Sequence, residues 1–177
     1  WSVTGVQTCA LPIYPKLYIS EDLVNKRPDL APLKGQKLNV TAWIFARTVE
    51  SSNPAFSNIK VPLASSFLLS SKKGQEHYIE PIINGEKYKF EVKFGKPEDL
   101  EQVKKGTKLS RGANFKCLLS GTAINGAHIK KEGKKNNLGC CLMAIVAEGP
   151  KGRIYAAPDE IHNAAFKVNE PKWKPDI

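Results

Sequence analysis

The sequence predicts an α+β domain: a β-rich module of hairpins with two or three short helices. Three observations carry that expectation. Apolar and polar residues alternate over strand-length runs, most clearly in "LNVTAWIFARTV" (38–49) and "EKYKFEVKF" (86–94). Side chains on a strand point to opposite faces with period two, so this pattern builds a half-buried sheet. Turn formers separate the runs, with Asn84-Gly85 and Gly149-Pro150-Lys151-Gly152 at hairpin spacing. The stretches of helical character are short and bounded by Pro, Asp and Gly.

Taken in order, "YPKLYISEDLVNKRPDLAPLKGQK" (14–37) holds several prolines and turn formers and reads as an extended lead-in. In 38–49, Leu38, Val40, Ala42, Ile44 and Ala46 share one strand face. "SSNPAFSN" (51–58) is a loop. "IKVPLASSFLLS" (59–70) is a second strand, which Pro62 directs to a sheet edge. "SKKGQE" (71–76) is a turn into the hairpin 77–95, whose Asn84-Gly85 pair suits a type I′ turn. Beyond the turn, Tyr88, Phe90, Val92 and Phe94 face one way, and Lys87, Lys89, Glu91 and Lys93 the other. "KPEDLEQVKKG" (96–106) is a helix with acids at its start, lysines at its end and Gly106 as its stop. "ANFKCLLSG" (113–121) is a strand, and "GAHIKKEGKKNNLG" (126–139) a basic helix or loop. "CCLMAIVAEGPKGRIYAAP" (140–158) is a second hairpin and "PDEIHNAAFKV" (158–168) a closing helix. The tail "NEPKWKPDI" is extended.

The first residues differ from the rest. No charged residue precedes Lys16, yet Gly5, Gln7, Thr8 and Pro12 interrupt every apolar run, and no basic n-region is present, so a secretory leader is not indicated. "VTGVQTCALPI" (3–13) matches the translation of a common sequencing adapter. Residues 1–13 are therefore expected to be a non-native scar, with a single module over 14–177 that is a piece of a longer chain.

The chain has 27 Lys and Arg against 17 Asp and Glu, a net charge of +10. This basic balance suits an anionic partner, nucleic acid first, and equally suits a lysine-solvated surface. No apolar run reaches the ~18 residues of a membrane span. Outside the scar the cysteines are Cys117, Cys140 and Cys141. An odd number with one adjacent pair is no disulfide framework, which suggests a cytoplasmic protein.

Motifs of chemistry are sparse. There is no P-loop or dinucleotide glycine motif and no nucleophile elbow or Cys–His signature. His77, His128 and His162 are scattered. Cys140 and Cys141, adjacent on a strand, point to opposite faces and do not suit one metal ion. Cys117-Leu118-Leu119-Ser120-Gly121 has the outline of a zinc knuckle with Ser120 where the second thiolate belongs, and a hydroxyl is a very poor zinc ligand. The strongest pattern is cations at turns and on loops: Lys72 and Lys73; Lys108 and Arg111; Lys130, Lys131, Lys134 and Lys135. These are the candidate phosphate-contacting residues.

Four stretches carry a resemblance: "RPDLAPLKGQKLNVTAWIFARTVESSNPAF", "KVPLASSFLLSSKKGQEHYIEPII", "GTKLSRGANFKCLLSGTAI" and "LMAIVAEGPKGRIYAAPDEIHNAAF". In this order they resemble the central region of the large bacterial and archaeal adenine-specific DNA methylases that contain a zinc ribbon. The resemblance runs from about Tyr14 to Pro175. It implies an insert in a class I methyltransferase, between the glycine-rich motif for S-adenosylmethionine and the catalytic [DN]-P-P-[YF] motif. The first cysteine pair of the ribbon is replaced at Ser51 and Phe56, and Ser120 replaces one cysteine of the second. The resemblance therefore implies a ribbon-like module without metal, with Phe56 expected as an apolar plug. Asn53-Pro54-Ala55-Phe56 is similar to the catalytic N-P-P-F but lacks its second proline and aligns with the former knuckle, so no catalytic residue is expected here. The parent enzyme would use S-adenosylmethionine to methylate the N6 of a flipped adenine. This module would hold or select DNA beside the rest of that chain. The alternative is a non-catalytic structural or protein-interaction module.

Overall fold

The structure is a computed structural model that describes residues 15–166. The expectations for residues 1–13 and for the C-terminal tail lie outside the described residues. The domain is mixed α/β and strand-rich, with short helices and a curled antiparallel sheet. The strands are β1 (Leu17–Tyr18), β2 (Lys37–Leu38), β3 (Val40–Glu50), β4 (Lys60–Leu63), β5 (Leu68–Ser70), β6 (His77–Asn84), β7 (Lys87–Phe94), β8 (Phe115–Lys116), β9 (Ala123–Ile124), β10 (Gly139–Gly149) and β11 (Gly152–Ala156). The helices are α1 (Glu21–Lys26), α2 (Leu100–Lys105), α3 (Gly126–Lys134) and α4 (Glu160–Ala165).

Two antiparallel sheets form the body. One has the order β11-β10-β3-β4 and the other β5-β6-β7. β10 is the central element. Its run Leu142–Ala147 is buried at every position, because both of its faces are covered. Met143 and Ala144, with Ala46 of the neighbouring β3, meet Ile79, Phe90 and Val92 of the facing sheet and Phe67 just before it. At the far end of the strand, Ala147 joins Ile154 and Ala156 in packing against Leu17, Ile19, Leu30 and Leu38 of the N-terminal segment. That segment is tied on by the β1–β2 ladder. Sealing a strand this completely removes apolar surface from water at about 25 cal/mol per Å². It also explains why the run is continuously apolar rather than alternating.

Several elements depart from the sequence expectation, each for a local reason. The lead-in 14–37 is not extended throughout: it forms α1 and a 3-10 turn over Pro28–Leu33. Ser20 caps α1 by accepting from the Leu23 backbone N–H, and Glu21 and Asp22 occupy the first turn. That is a cap-plus-acid start which the surrounding prolines obscured. The stretch 59–70 is two strands in different sheets, not one. It breaks at Ala64–Phe67, where Phe67 turns inward and its N–H donates to Val103 O. Pro62 does sit on an edge strand, β4. In the first hairpin Asn84 pairs with Lys87, so Gly85-Glu86 is the two-residue turn. Gly85 has φ +60° and Glu86 has no positive φ, the pattern of type II′ rather than I′. Helix α2 starts late, after Asp99 caps it at Gln102 N–H. The stretch 113–121 contributes only β8 before a tight turn at Cys117–Gly121. There are four α-helices among the described residues, more than the two or three expected.

The α2 exit shows how tightly the crossover is held. Gly106 takes φ +58°, and a Cβ there would fall 2.6 Å from the Ala64 carbonyl oxygen. Next to it the buried Thr107 hydroxyl lies 3.0 Å from Pro62 O and 2.9 Å from Ala64 N, satisfying β4 at the point where it leaves its sheet.

Arg27 joins the parts. It is 3% exposed. Its Nε and Nη2 donate to the two Asp29 carboxylate oxygens, both at 2.7 Å. Its Nη1 donates to Tyr155 O of β11 at 2.9 Å and to Val92 O of β7 at 3.4 Å. The guanidinium also lies 6.0 Å from the centre of the Phe94 ring. One side chain thus links the N-terminal helical segment to both sheets.

His77 sits beside this junction, between Phe94 and Tyr155 at centroid distances of 5.2 and 5.0 Å. Burial pushes its pKa below the ordinary 6.5 and nearby Arg27 adds to this, while a 2.9 Å contact with Gln75 O opposes it. As pH falls, the unfolded chain takes up this proton before the folded ring does. Stability is therefore complete above the ordinary value and declines below it, until the folded ring also protonates. Urea unfolding of the chain is expected to show a loss of stability between pH 7 and 5.5, and a flatter profile over that window in His77→Phe.

Candidate nucleic-acid interface

A small lobe projects from the end of β3 and β4. It is built from the loop 51–59, the hairpin β8–β9 and helix α3. Two tight turns meet at its base. In one, Ser51 N–H donates to Ile59 O. In the other, Cys117 N–H donates to Thr122 O and Gly121 N–H returns to Cys117 O. Between the turns the Ser51 hydroxyl donates to Cys117 Sγ at 3.6 Å, and Ser52 Oγ donates to Ala123 O at 3.1 Å. Cys117 has no exposed surface and packs with Val49, Val61 and Ile124. Burial works against its thiolate, but hydrogen bonds from Ser120, from Ser51 and from the Leu119 backbone together outweigh burial and hold the thiol below its ordinary range.

Phe56 does not plug this site. It stands half-buried on the 3-10 turn Pro54–Phe56. Leu63, Leu119, Ile129 and Leu138 pack around the cysteine cluster instead. Asn53 caps that 3-10 turn, its Oδ1 accepting from Ala55 N–H at 3.0 Å, so its amide oxygen is already engaged. Among the described residues no group of three or more His, Cys, Asp and Glu is placed to hold a metal.

Helix α3 is set on the lobe by both ends. Asn125 Oδ1 accepts from His128 N–H at 2.9 Å, and His128 Nε2 lies 3.0 Å from Glu50 O. At the other end Glu132, buried, accepts from Asn137 Nδ2 at 2.7 Å and from Lys135 Nζ at 3.1 Å. The Asn137 and Lys135 partners hold its carboxyl below the usual range. The only acid of residues 107–137 is thereby turned inward. Against it stand Lys108, Arg111, Lys116, Lys130, Lys131, Lys134 and Lys135, so this lobe carries +6 of the chain's +10.

The structure brings some of the sequence-predicted cations together and separates others. The tip 108–115 touches the start of α3, where a Cβ on Gly126 would lie 3.3 Å from Ala113 Cβ. Lys108 and Arg111 therefore belong to the same lobe as Lys130, Lys131, Lys134 and Lys135. The α3 lysines Lys130, Lys131 and Lys134 form no ion pair among the described residues, nor do Lys108 and Arg111, whereas Lys135 just after the helix pairs with Glu132. Lys72 and Lys73 are also exposed but lie at the other end of the β6–β7 hairpin, beside the His77–Phe94 pair. The lobe adjoins the turn end, since Tyr88 donates to Lys60 O and Lys60 Nζ donates to Asn137 O. Six residues of strand separate the two ends, about 20 Å.

Two more features qualify the sequence reading. The lysine face of β7 is largely self-neutralised, because Glu91 pairs with Lys89 at 3.0 Å and with Lys93 at 3.1 Å. Lys116 is the lobe cation that sequence reasoning missed, because it was assigned to the interior of a long strand. The arrangement offers a fixed basic surface and, at Cys117, one buried thiol flanked by hydroxyls. It offers no nucleophile–base pair.

No family model matches the chain, and no curated protein and no solved structure matches it either.

The Ser51 hydroxyl serves both turns, donating to Cys117 Sγ and accepting from Asn53 N–H at 3.2 Å. Ser51→Ala is expected to lower the unfolding free energy by about 1–2 kcal/mol in urea titration, the cost of unpaired buried groups.

Proposed function

We propose that this chain is a DNA-holding insert of an adenine-specific, S-adenosylmethionine-dependent DNA methyltransferase, and that the lobe 107–137 contacts the phosphate backbone. The observation that carries the DNA reading is the charge of that lobe: seven cations on one small unit whose only acid is buried. A surface that merely needs solvation has no reason to hide its one acid and cluster its cations. The methyltransferase reading rests on the sequence resemblance. The first and last described segments touch, with His162 Nε2 on α4 lying 3.3 Å from Pro15 O, an arrangement that fits insertion as it fits many domains. The chain supplies no catalytic residue and no S-adenosylmethionine site in this reading; the parent enzyme supplies both.

A second reading, a protein-docking module, has its own support in the exposed apolar residues Ile161 (67%) and Phe45 (40%) around α4. The two readings differ in salt dependence. Each phosphate neutralised on duplex DNA contributes about −0.9 to the slope of log K against log salt. Fluorescence anisotropy with a duplex is expected to give a steep slope. Each of Lys130→Glu, Lys131→Glu and Lys134→Glu that frees a phosphate should make it shallower by about 0.9. Combined reversal of Lys108 and Arg111 should act in the same direction. A slope near zero, or one the reversals leave unchanged, would reject DNA holding in favour of docking.

A further inference from the structure

A cleft of about 440 Å³ opens between β7, the start of β10, α4 and the end of α1. Its size lies within the ~300–1,000 Å³ range of small-ligand sites. Its wall combines three kinds of group. Phe166 supplies an aromatic ring, held at 70° to Phe45 with centroids 5.4 Å apart. Asn163 supplies a half-buried amide whose side chain makes no hydrogen bond among the described residues. Lys26 supplies an exposed ammonium with no ion pair among them. The one acid on the wall, Glu91, is engaged by Lys89 and Lys93, so it does not oppose an anion.

We propose that this cleft binds one nucleotide unit: an unstacked nucleobase with its 5′-phosphate. The base stacks on Phe166, the Asn163 amide hydrogen-bonds its edge, and Lys26 takes the phosphate. Stacking on an aromatic side chain contributes about 1–3 kcal/mol and tolerates any base, and an amide can both donate to and accept from a base edge. The inference deepens the DNA-holding reading and rests on it for the source of the nucleotide, an unpaired position in the strand held by the lobe. A free nucleotide would satisfy the same chemistry.

The cleft carries its own reporter. Cys140 is exposed on its wall. Cys141 beside it is pushed up to about 11 by burial, and Cys117 has no exposed surface. In a Cys9→Ser background, maleimide labelling therefore reads Cys140. The rate would be measured with deoxyadenosine monophosphate, inorganic phosphate, an unpaired oligonucleotide and a fully paired duplex. The mononucleotide and the unpaired oligonucleotide should slow labelling about tenfold when present at ten times their Kd, with little effect from phosphate or duplex. Phe166→Ala and Asn163→Ala should abolish this protection while leaving duplex affinity unchanged. Equal protection by phosphate alone, no protection by either nucleotide ligand, or protection that survives Phe166→Ala would overturn the proposal. If the lobe fails to bind duplex, the mononucleotide arm still tests the cleft. Protection by the mononucleotide without protection by the oligonucleotide supports the site and rejects the strand as its source.

Discussion

The rest of the structure depends on the buried guanidinium of Arg27. The two sheets meet across an apolar core of Met143, Ala144, Ile79, Phe90 and Val92, and β11 passes β7 at its edge. At that point both strands present a backbone carbonyl, Tyr155 O and Val92 O, and one Nη1 reaches both. Asp29 balances the charge and fixes the plane of the fork through two 2.7 Å hydrogen bonds. Lysine could not do this, since it lacks the planar array of donors. Taking the charge out of water costs several kcal/mol, and the hydrogen bonds to Asp29, Tyr155 O and Val92 O offset that cost. The N-terminal segment 15–38 is held to the sheets partly through this side chain, and His162 of α4 in turn contacts Pro15.

That frame decides where the charge of the molecule goes. The body is closed by its two sheets and by the N-terminal segment. The β3–β4 end is left to carry the lobe, which is small, strongly cationic and assembled by side-chain caps rather than by long strands. At the base of the lobe, packing and two hydroxyls surround a single thiol. A lone thiol between serine hydroxyls is not a zinc ligand set, and apolar contacts from Val49, Val61, Ile124 and Leu119 hold the two turns in register. No helix among the described residues is long and apolar enough to cross a membrane.

Legibility in the sequence followed the range of the forces involved. Both long hairpins were readable, because alternation and turn residues are local signals: β6–β7 and β10–β11 lie where the pattern of Tyr88, Phe90 and Val92 and the run Leu142–Ala147 placed them. The cap at Ser20 was equally local but lay among prolines that argued the other way. The break at Ala64–Phe67 was not readable, because it depends on Val103 and Thr107 arriving from about forty residues away. The same holds for the sites. The lysines of α3 were evident from composition, but their union with Arg111, and their separation from Lys72 and Lys73, depend on how the lobe and the hairpin are placed. The cleft at Phe166 draws on separate segments of chain and leaves no signature in any one of them.

The most direct test of this frame is equilibrium urea unfolding of Arg27→Met beside the double variant Arg27→Met/Asp29→Leu. Removing the cation alone leaves Asp29 and two carbonyls without their partner and is expected to cost about 3–5 kcal/mol; removing both charges should recover a substantial part of that loss. A loss below about 1 kcal/mol in the single variant, within the range of an exposed ion pair, would contradict the account. The sheets would then be held by their apolar contact alone.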